Sequence, residues 1–206
     1  MYLTKLLLDP NNAQARRDLA NAYDMHRTLS RVYAENQSVT PHRFLWRLEP
    51  FLSFYDGATL LVQSEQPGNW EVLRRQPDYL LELHADKMVD LERWLEAGAH
   101  YHFRLLANPT VTRAGKRYGL CAEEEQLKWL ERQLHKGGSE LRSAVRTLNE
   151  RRVARKGGTR LTVQAVRFDG VLCVRDAAKA QAILRSGIGH AKSLGLGLLS
   201  LRWAGP

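Results

Sequence analysis

Cysteine is nearly absent from this chain: Cys121 and Cys173 stand alone among 206 residues. Without a CxxC pair no disulfide framework can be built, and the composition fits a reducing compartment. Long apolar runs are missing too. No stretch approaches the ~18 residues that a membrane span needs. The N-terminal MYLTKLLLDPNN has a short apolar run but neither the basic n-region nor the long core of a signal peptide. These absences point to a soluble, cytoplasmic protein with no membrane partner. Acidic residues are in deficit: 22 Asp+Glu stand against 31 Lys+Arg, for a formal charge of +9. That balance favours a polyanionic partner, nucleic acid ahead of an acidic membrane surface. Few aromatic residues lie among the cations of the basic segments. Stacking along a bare single strand is therefore less favoured than grip on a duplex or hairpin.

The hydrophobic share is 44%, enough for one medium domain or two small ones. YLTKLLL (2–8) reads as a strand closed by Asp9-Pro10-Asn11-Asn12. Residues 13–34 read as a helix in two pieces with a break at Asn21. Arg43–Leu48 alternates as a strand with Phe44, Trp46 and Leu48 on one face, and 58–64 is another strand after a loop over 49–57. A short helix at 70–75, a strand at 79–84, weak helix over 87–95 and a strong strand at 100–108 follow. The order β-α-β-β-(α)-β over residues 1–108 is that of a ferredoxin-like unit. Residues 109–120 read as a basic linker. The pattern then resumes over 121–206. A helix at 122–138 has acidic residues in its first turn and Gly137-Gly138 at its end. SELRSAVRTL (139–148) reads as a strand, with a helix the alternative, and a basic loop at 149–160 comes next. LTVQAVRFDGVLCVRD (161–176) reads as two strands around an Asp-Gly turn, before a helix at 177–187 and a last strand at 196–203. The expected fold is α+β, two similar units in series.

Three clusters carry chemistry. In NAYDMHRTLSR (21–31), Arg27 and Ser30 fall within about 40° of Tyr23 on a helical wheel, flanked by His26 and Arg31. Met25, Leu29 and Val32 form the opposite, apolar side. Histidine titrates near neutrality and serves as general acid or base. Tyrosine titrates near ~10, so it suits positioning, or base work if its pKa is lowered. Arginines beside such a pair can hold a phosphate and stabilise a phosphorane. The plainer reading is a solvated basic helix. The second cluster is Gly187-Ile-Gly-His-Ala-Lys-Ser-Leu-Gly-Leu-Gly197, where Gly187, Gly189, Gly195 and Gly197 surround His190 and Lys192. It would let backbone N–H groups approach a phosphate, or it is a tight turn. It matches neither a Walker A loop nor a dinucleotide fingerprint. The third is a set of basic segments: Arg16 and Arg17 on the first helix, Arg113, Lys116 and Arg117 in the linker, and Arg151, Arg152, Arg155, Lys156 and Arg160 in the second loop. These suit grip on a phosphate backbone, or plain solubility. His100 and His102 share a strand face but no further ligand lies at useful spacing, so neither a metal nor another cofactor is expected.

ARRDLANAYDMHRTLSR, FLWRLEP, FRLLANP, GKRYGL, AEEEQLKWLERQL, VQAVRFDGVLCVRD and GIGHAKSLGLGLLSL together resemble the CasE family, the CRISPR repeat-processing endoribonucleases of type I-E systems, from Met1 to about Leu201. The resemblance implies two tandem ferredoxin-like (RRM-like) domains. It implies metal-independent cleavage of a precursor transcript at the 3′ base of the repeat hairpin, leaving a 2′,3′-cyclic phosphate and a 5′-OH. It implies retention of the hairpin, by a monomer, and a place among the Cascade subunits. Tyr23 and His26 fall on the family's catalytic positions, with His26 the better proton carrier and Tyr23 set to position or activate the 2′-OH. Arg31 falls where a relative has a lysine at the phosphate. Three departures stand out. Relatives have Asn-Pro-Tyr at 21–23, where this chain has Asn21-Ala22-Tyr23. They have proline where it has His190, and commonly arginine where it has Leu106. A non-catalytic hairpin-binding subunit is the competing reading.

Overall fold

The computed structural model describes residues 1–34, 40–50 and 56–205. Its chain divides into two compact units. The first comprises Met1–Val89 with Ala154–Leu161 and Ser193–Gly195; the second comprises Asp90–Val153, Thr162–Lys192 and Leu196–Pro206.

In the first unit, β1 (Tyr2–Leu8) leads into α1 (Ala13–Ala20) and α2 (Ala22–Ser30), then β2 (Phe44–Leu48), β3 (Ala58–Ser64), α3 (Glu71–Arg74) and β4 (Leu80–Met88). The sheet order is β2-β3-β1-β4. Every neighbouring pair is antiparallel, with Leu6 opposite Leu60 and Leu83. This is the split arrangement of the ferredoxin-like unit. The helix pair forms because Asn12 and Asn21 each cap one helix, accepting from Ala15 N–H and Tyr23 N–H. Asn21 has an extended backbone, so it ends α1 and starts α2. Met25, Leu29 and Val32 pack with Leu6, Leu60, Trp46 and Trp70 in one core. Helix α2 ends at Ser30, one turn short of the expected end at 34. Of the loop expected at 49–57, residues 51–55 lie outside the described residues.

In the second unit, α4 (Leu91–Trp94) and β5 (His100–Ala107) precede a hairpin of β6 (Thr110–Arg113) and β7 (Lys116–Gly119). Then come α5 (Glu123–Lys136), β8 (Ser139–Lys156), β9 (Thr159–Val174), α6 (Ala177–Ser186) and β10 (Leu199–Gly205). The sheet order β10-β5-β9-β8 repeats the first unit's pattern, with β5 as its first strand. Tyr101, Phe103 and Leu105 of β5 are buried, as are Trp129, Leu130 and Leu134 of α5 and Phe168 and Leu172 of β9.

Four expectations change. The strand at 100–108 closes nothing in the first unit: β5 hydrogen-bonds to β9 and β10, so the boundary drawn at 108 moves back to Asp90. The strand that completes the first sheet is β4, a largely exposed edge whose apolar pattern is weak. The linker at 109–120 is the β6–β7 hairpin, turned by Ala114 and Gly115 at positive φ. The basic loop at 149–160 is the end of an 18-residue strand and the start of the next, joined at Gly157-Gly158 with φ of 50° and 82°. Two residues of positive φ match the twist of the flanking strands, so the chain turns there. The Asp169-Gly170 turn does not form. β9 runs straight through, with Asp169 opposite Arg104 and Gly170 opposite Phe103, and a Cβ at Gly170 would sit 2.1 Å from the Ser143 carbonyl oxygen. Glycine serves close approach at that point. Asp169 is held by Arg104 Nε and the Thr147 hydroxyl, each at 2.6 Å.

Candidate functional site

Helix α2 borders a groove of about 650 Å³ in the first unit. Tyr23, His26, Arg27, Ser30 and Arg31 of NAYDMHRTLSR all line it, together with Arg17 of α1. Among the described residues, the only carboxylate on this wall is Asp24, so three guanidinium groups leave the groove cationic. Arg27 Nη1 lies 3.4 Å from Asp24 Oδ1, with its side chain 68% exposed and thus largely left to solvent. Arg17 donates to Gln14 Oε1 at 2.6 Å.

His26 sits at the seam between groove and core. Its ring stacks on Phe44, with centroids 5.0 Å apart. Phe44 in turn stacks on Tyr33 at 4.9 Å, and Tyr33 meets Trp70 edge-on at 5.8 Å. His26 Nδ1 is buried with no hydrogen-bond partner among the described residues, so Nε2 is the nitrogen left to the groove. Burial pushes the imidazole pKa below its ordinary value. The resting ring is therefore the neutral form at neutral pH, with a lone pair to offer. A phosphate drawn into the groove opposes that shift by placing negative charge beside the ring. Ser30, expected at the phosphate, lines the groove but donates its hydroxyl to the His26 carbonyl oxygen at 2.7 Å.

In the sequence, Asn21 reads as a helix break. Besides capping α2, its Nδ2 donates to the Arg155 carbonyl oxygen and its Oδ1 accepts from the Arg155 N–H, both at 3.1 Å. Lys156 Nζ then stands 5.6 Å from the centroid of the Tyr23 ring, within cation–π range. The asparagine in front of an amphipathic helix was a legible cap signal. Its second contact, 134 positions along the chain, was not.

The remaining predicted cations are distributed over other elements. Arg155, Lys156 and Arg160 are exposed at the tip of the β8–β9 hairpin, inside the first unit. Arg151 is exposed on β8, and Arg152 is paired with Glu150. Arg16 is exposed on α1 and donates to the Asn11 carbonyl oxygen, outside the groove wall. In the second unit, Arg113 and Lys116 face each other in register at the end of β6–β7, with Arg117 next to them. Like charges directly opposite one another are unfavourable, a cost that an anionic partner offsets. His190 is exposed; burial, then the nearby Arg117 and Lys192, lower its pKa.

All four glycines of the glycine-rich loop have positive φ. Three of them are also packed: a Cβ would reach Trp129 from Gly189, Trp46 from Gly195 and the Ile188 carbonyl oxygen from Gly197. Close packing accounts for them without a ligand. Among the described residues, no cluster of His, Cys, Asp or Glu could hold a metal ion, and no helix is long and apolar enough to cross a membrane.

Residues 1–202 match the family described as CRISPR associated protein. The chain is similar to the CRISPR-associated endoribonuclease Cse3 of Thermus thermophilus, with 38% identity over 98% of this chain and 99% of that one. It is 30% identical to the CRISPR system Cascade subunit CasE of Escherichia coli, over 98% of both chains. Its fold follows that of Thermus thermophilus Cse3 bound to an RNA representing a pre-cleavage complex, with a TM-score of 0.88 at 39% identity over 98% of each chain. The fold is thus the tandem ferredoxin-like α+β arrangement of these proteins, and the chain belongs to the CRISPR-associated CasE family.

Proposed function

We propose that this protein is an endoribonuclease that cuts CRISPR precursor transcripts at the base of the repeat hairpin and keeps the hairpin as a Cascade subunit. The observation that carries this is the α2 groove, where Tyr23 and a half-buried neutral His26 share a wall with Arg17, Arg27 and Arg31. Similarity to a protein named as an endoribonuclease, over nearly the whole of both chains, supports the same reading.

RNA carries its own nucleophile in the 2′-OH. Cleavage then needs a proton acceptor, a proton donor, positive charge at the phosphate and in-line geometry. Tyr23 orients the 2′-OH. Attack of the 2′-oxygen on phosphorus forms the new P–O bond and the P–O5′ bond breaks. The neutral His26 Nε2 accepts the proton that leaves the 2′-OH, and the imidazolium so formed delivers it to the departing 5′-oxygen. Once a phosphate enters, its charge favours the imidazolium that this donor role requires. Arg17, Arg27 and Arg31 stabilise the charge that builds on the phosphorane oxygens. The products are a 2′,3′-cyclic phosphate and a 5′-OH, and no step calls for a metal. Arg151, Arg155, Arg160 and the β6–β7 cations grip the stem backbone by charge.

The test compares a cognate repeat hairpin with the same RNA carrying one 2′-deoxy at the scissile nucleotide, both in EDTA. Cutting of the all-ribose RNA alone is the expected result. Tight, salt-dependent binding of both RNAs without cutting would make the protein a hairpin-binding subunit instead.

A further inference from the structure

Asn21 uses its whole amide. Its Oδ1 accepts from the Tyr23 N–H at 3.4 Å and from the Arg155 N–H at 3.1 Å. Its Nδ2 donates to Asp24 Oδ2 at 2.7 Å and to the Arg155 carbonyl oxygen at 3.1 Å. A primary amide has two donors and one oxygen with two lone pairs, so all four places are filled. Capping α2 requires only the first of these contacts. The pair to Arg155 imitates the two-way bond between antiparallel strands, made by a side chain to a distant backbone. The next residue after Arg155 is Lys156, whose ammonium stands over the Tyr23 ring. One side chain therefore holds both partners of that contact: the helix start that carries Tyr23, and the hairpin tip that carries Lys156.

We propose that Asn21 is a positioning residue for phosphodiester cleavage. Its amide seats the tip of the β8–β9 hairpin on the first residues of α2 and holds the Lys156 ammonium beside Tyr23. The inference rests on the reading of the α2 groove as an RNA-cleaving site. It goes further in making the chemistry at Tyr23 depend on a hairpin otherwise assigned to stem grip. Lys156 then acts at the reacting end of the RNA, and the seat of the hairpin sets the charge beside the phenol ring.

The experiment uses the full chain and cognate hairpin RNA. Asn21→Ser keeps a good helix cap but lacks the reach and the second donor that Arg155 needs. Lys156→Ala alters only an exposed position and leaves the amide clamp in place. Two quantities are read: the single-turnover cleavage rate at saturating protein, and Kd for the RNA with a 2′-deoxy scissile nucleotide. Asn21→Ser is expected to slow cleavage about 10- to 100-fold, as misplacement of reacting groups does, with Kd within about threefold of the parental value. Lys156→Ala is expected to slow cleavage as well. The double variant is expected to be no slower than the slower single, because both changes remove one arrangement. Additive losses would overturn the proposal, and so would a loss confined to Kd. A parental chain that cuts beside an Asn21→Ser chain that cuts equally well overturns the proposal alone. A parental chain that binds without cutting overturns the functional reading beneath it as well.

Discussion

The imidazole of His26 lies against the ring of Phe44, centroids 5.0 Å apart and planes inclined by 28°. This stack places a titratable group at the margin of a core that Tyr33 and Trp70 continue. It covers one face of the imidazole, and burial lowers the His26 pKa. Phe44→Leu keeps an apolar side chain but uncovers the ring. The His26 pKa, followed by the NMR shifts of its ring protons, should rise toward about 6.5, the unperturbed value. An unchanged pKa would assign the desolvation to other neighbours.

The same shift makes a stability prediction. The unfolded chain takes up a proton at this histidine near about 6.5, the folded chain only at lower pH. Between those two values the unfolded state binds more protons, so the His26 contribution is complete above the window and is lost as pH falls through it. His26→Gln should remove that part of the slope. Denaturant unfolding at several pH values should show the variant flatter than the parent just below about pH 6.5, and indistinguishable in slope above about pH 7.

For catalysis, His26→Ala should lower the single-turnover rate about 10²- to 10⁴-fold, the usual span for a lost acid–base group. Kd for uncleavable RNA should stay within about threefold, because the groove's cations remain. A fall in affinity that accounts for the whole effect would make His26 a binding residue.

How much of this was visible beforehand depended on whether the signal was local. The cap at Asn12, the break at Asn21 and the buried Met25, Leu29 and Val32 all follow from helix periodicity, although α2 ends at Ser30, a turn before that periodicity does. The gathering of Tyr23, His26, Arg27 and Arg31 on one wall follows from the same wheel. His26 itself is less exposed than a wheel implies, because Phe44 of strand β2 covers it. Strand partnership was the weak point. β5 is strongly apolar and β4 is not, so sequence pattern alone favours β5 as the strand that completes the first sheet. Only hydrogen bonding across the second sheet corrects that. Charge density also hid the length of β8. Along that strand intermediate and exposed residues alternate, so the charges do not prevent pairing.

Two glycines should respond very differently to alanine. Gly195 has φ +76°, and an added Cβ would lie 2.7 Å from the Trp46 ring, a buried side chain of the first core. Overpacking of about 1–3 kcal/mol adds to about 1–2 kcal/mol for the left-handed backbone. Gly157 has φ +50° but meets nothing within 4 Å, so Gly157→Ala should cost only the backbone part, about 1–2 kcal/mol. Chemical denaturation of both variants checks the contrast. Equal losses would mean that Trp46 can shift aside.

RNA affinity should depend on salt through the exposed cations of the hairpin tip. Each phosphate neutralised contributes about 0.9 to the slope of log Kobs against log salt for duplex B-DNA, and about 0.7 for single strands. Arg160 is exposed at that tip, so Arg160→Ala should weaken binding at low salt and flatten the slope by about 0.7–0.9. Arg93, exposed on the short α4, carries the same charge outside the proposed RNA-binding set. Arg93→Ala should lower affinity slightly through net charge without changing the slope by a full contact. Kd for uncleavable hairpin RNA, measured at several salt concentrations, distinguishes the two. Equal slope changes would mean that the protein attracts RNA through its overall charge of +9, and that the hairpin tip makes no phosphate contact of its own.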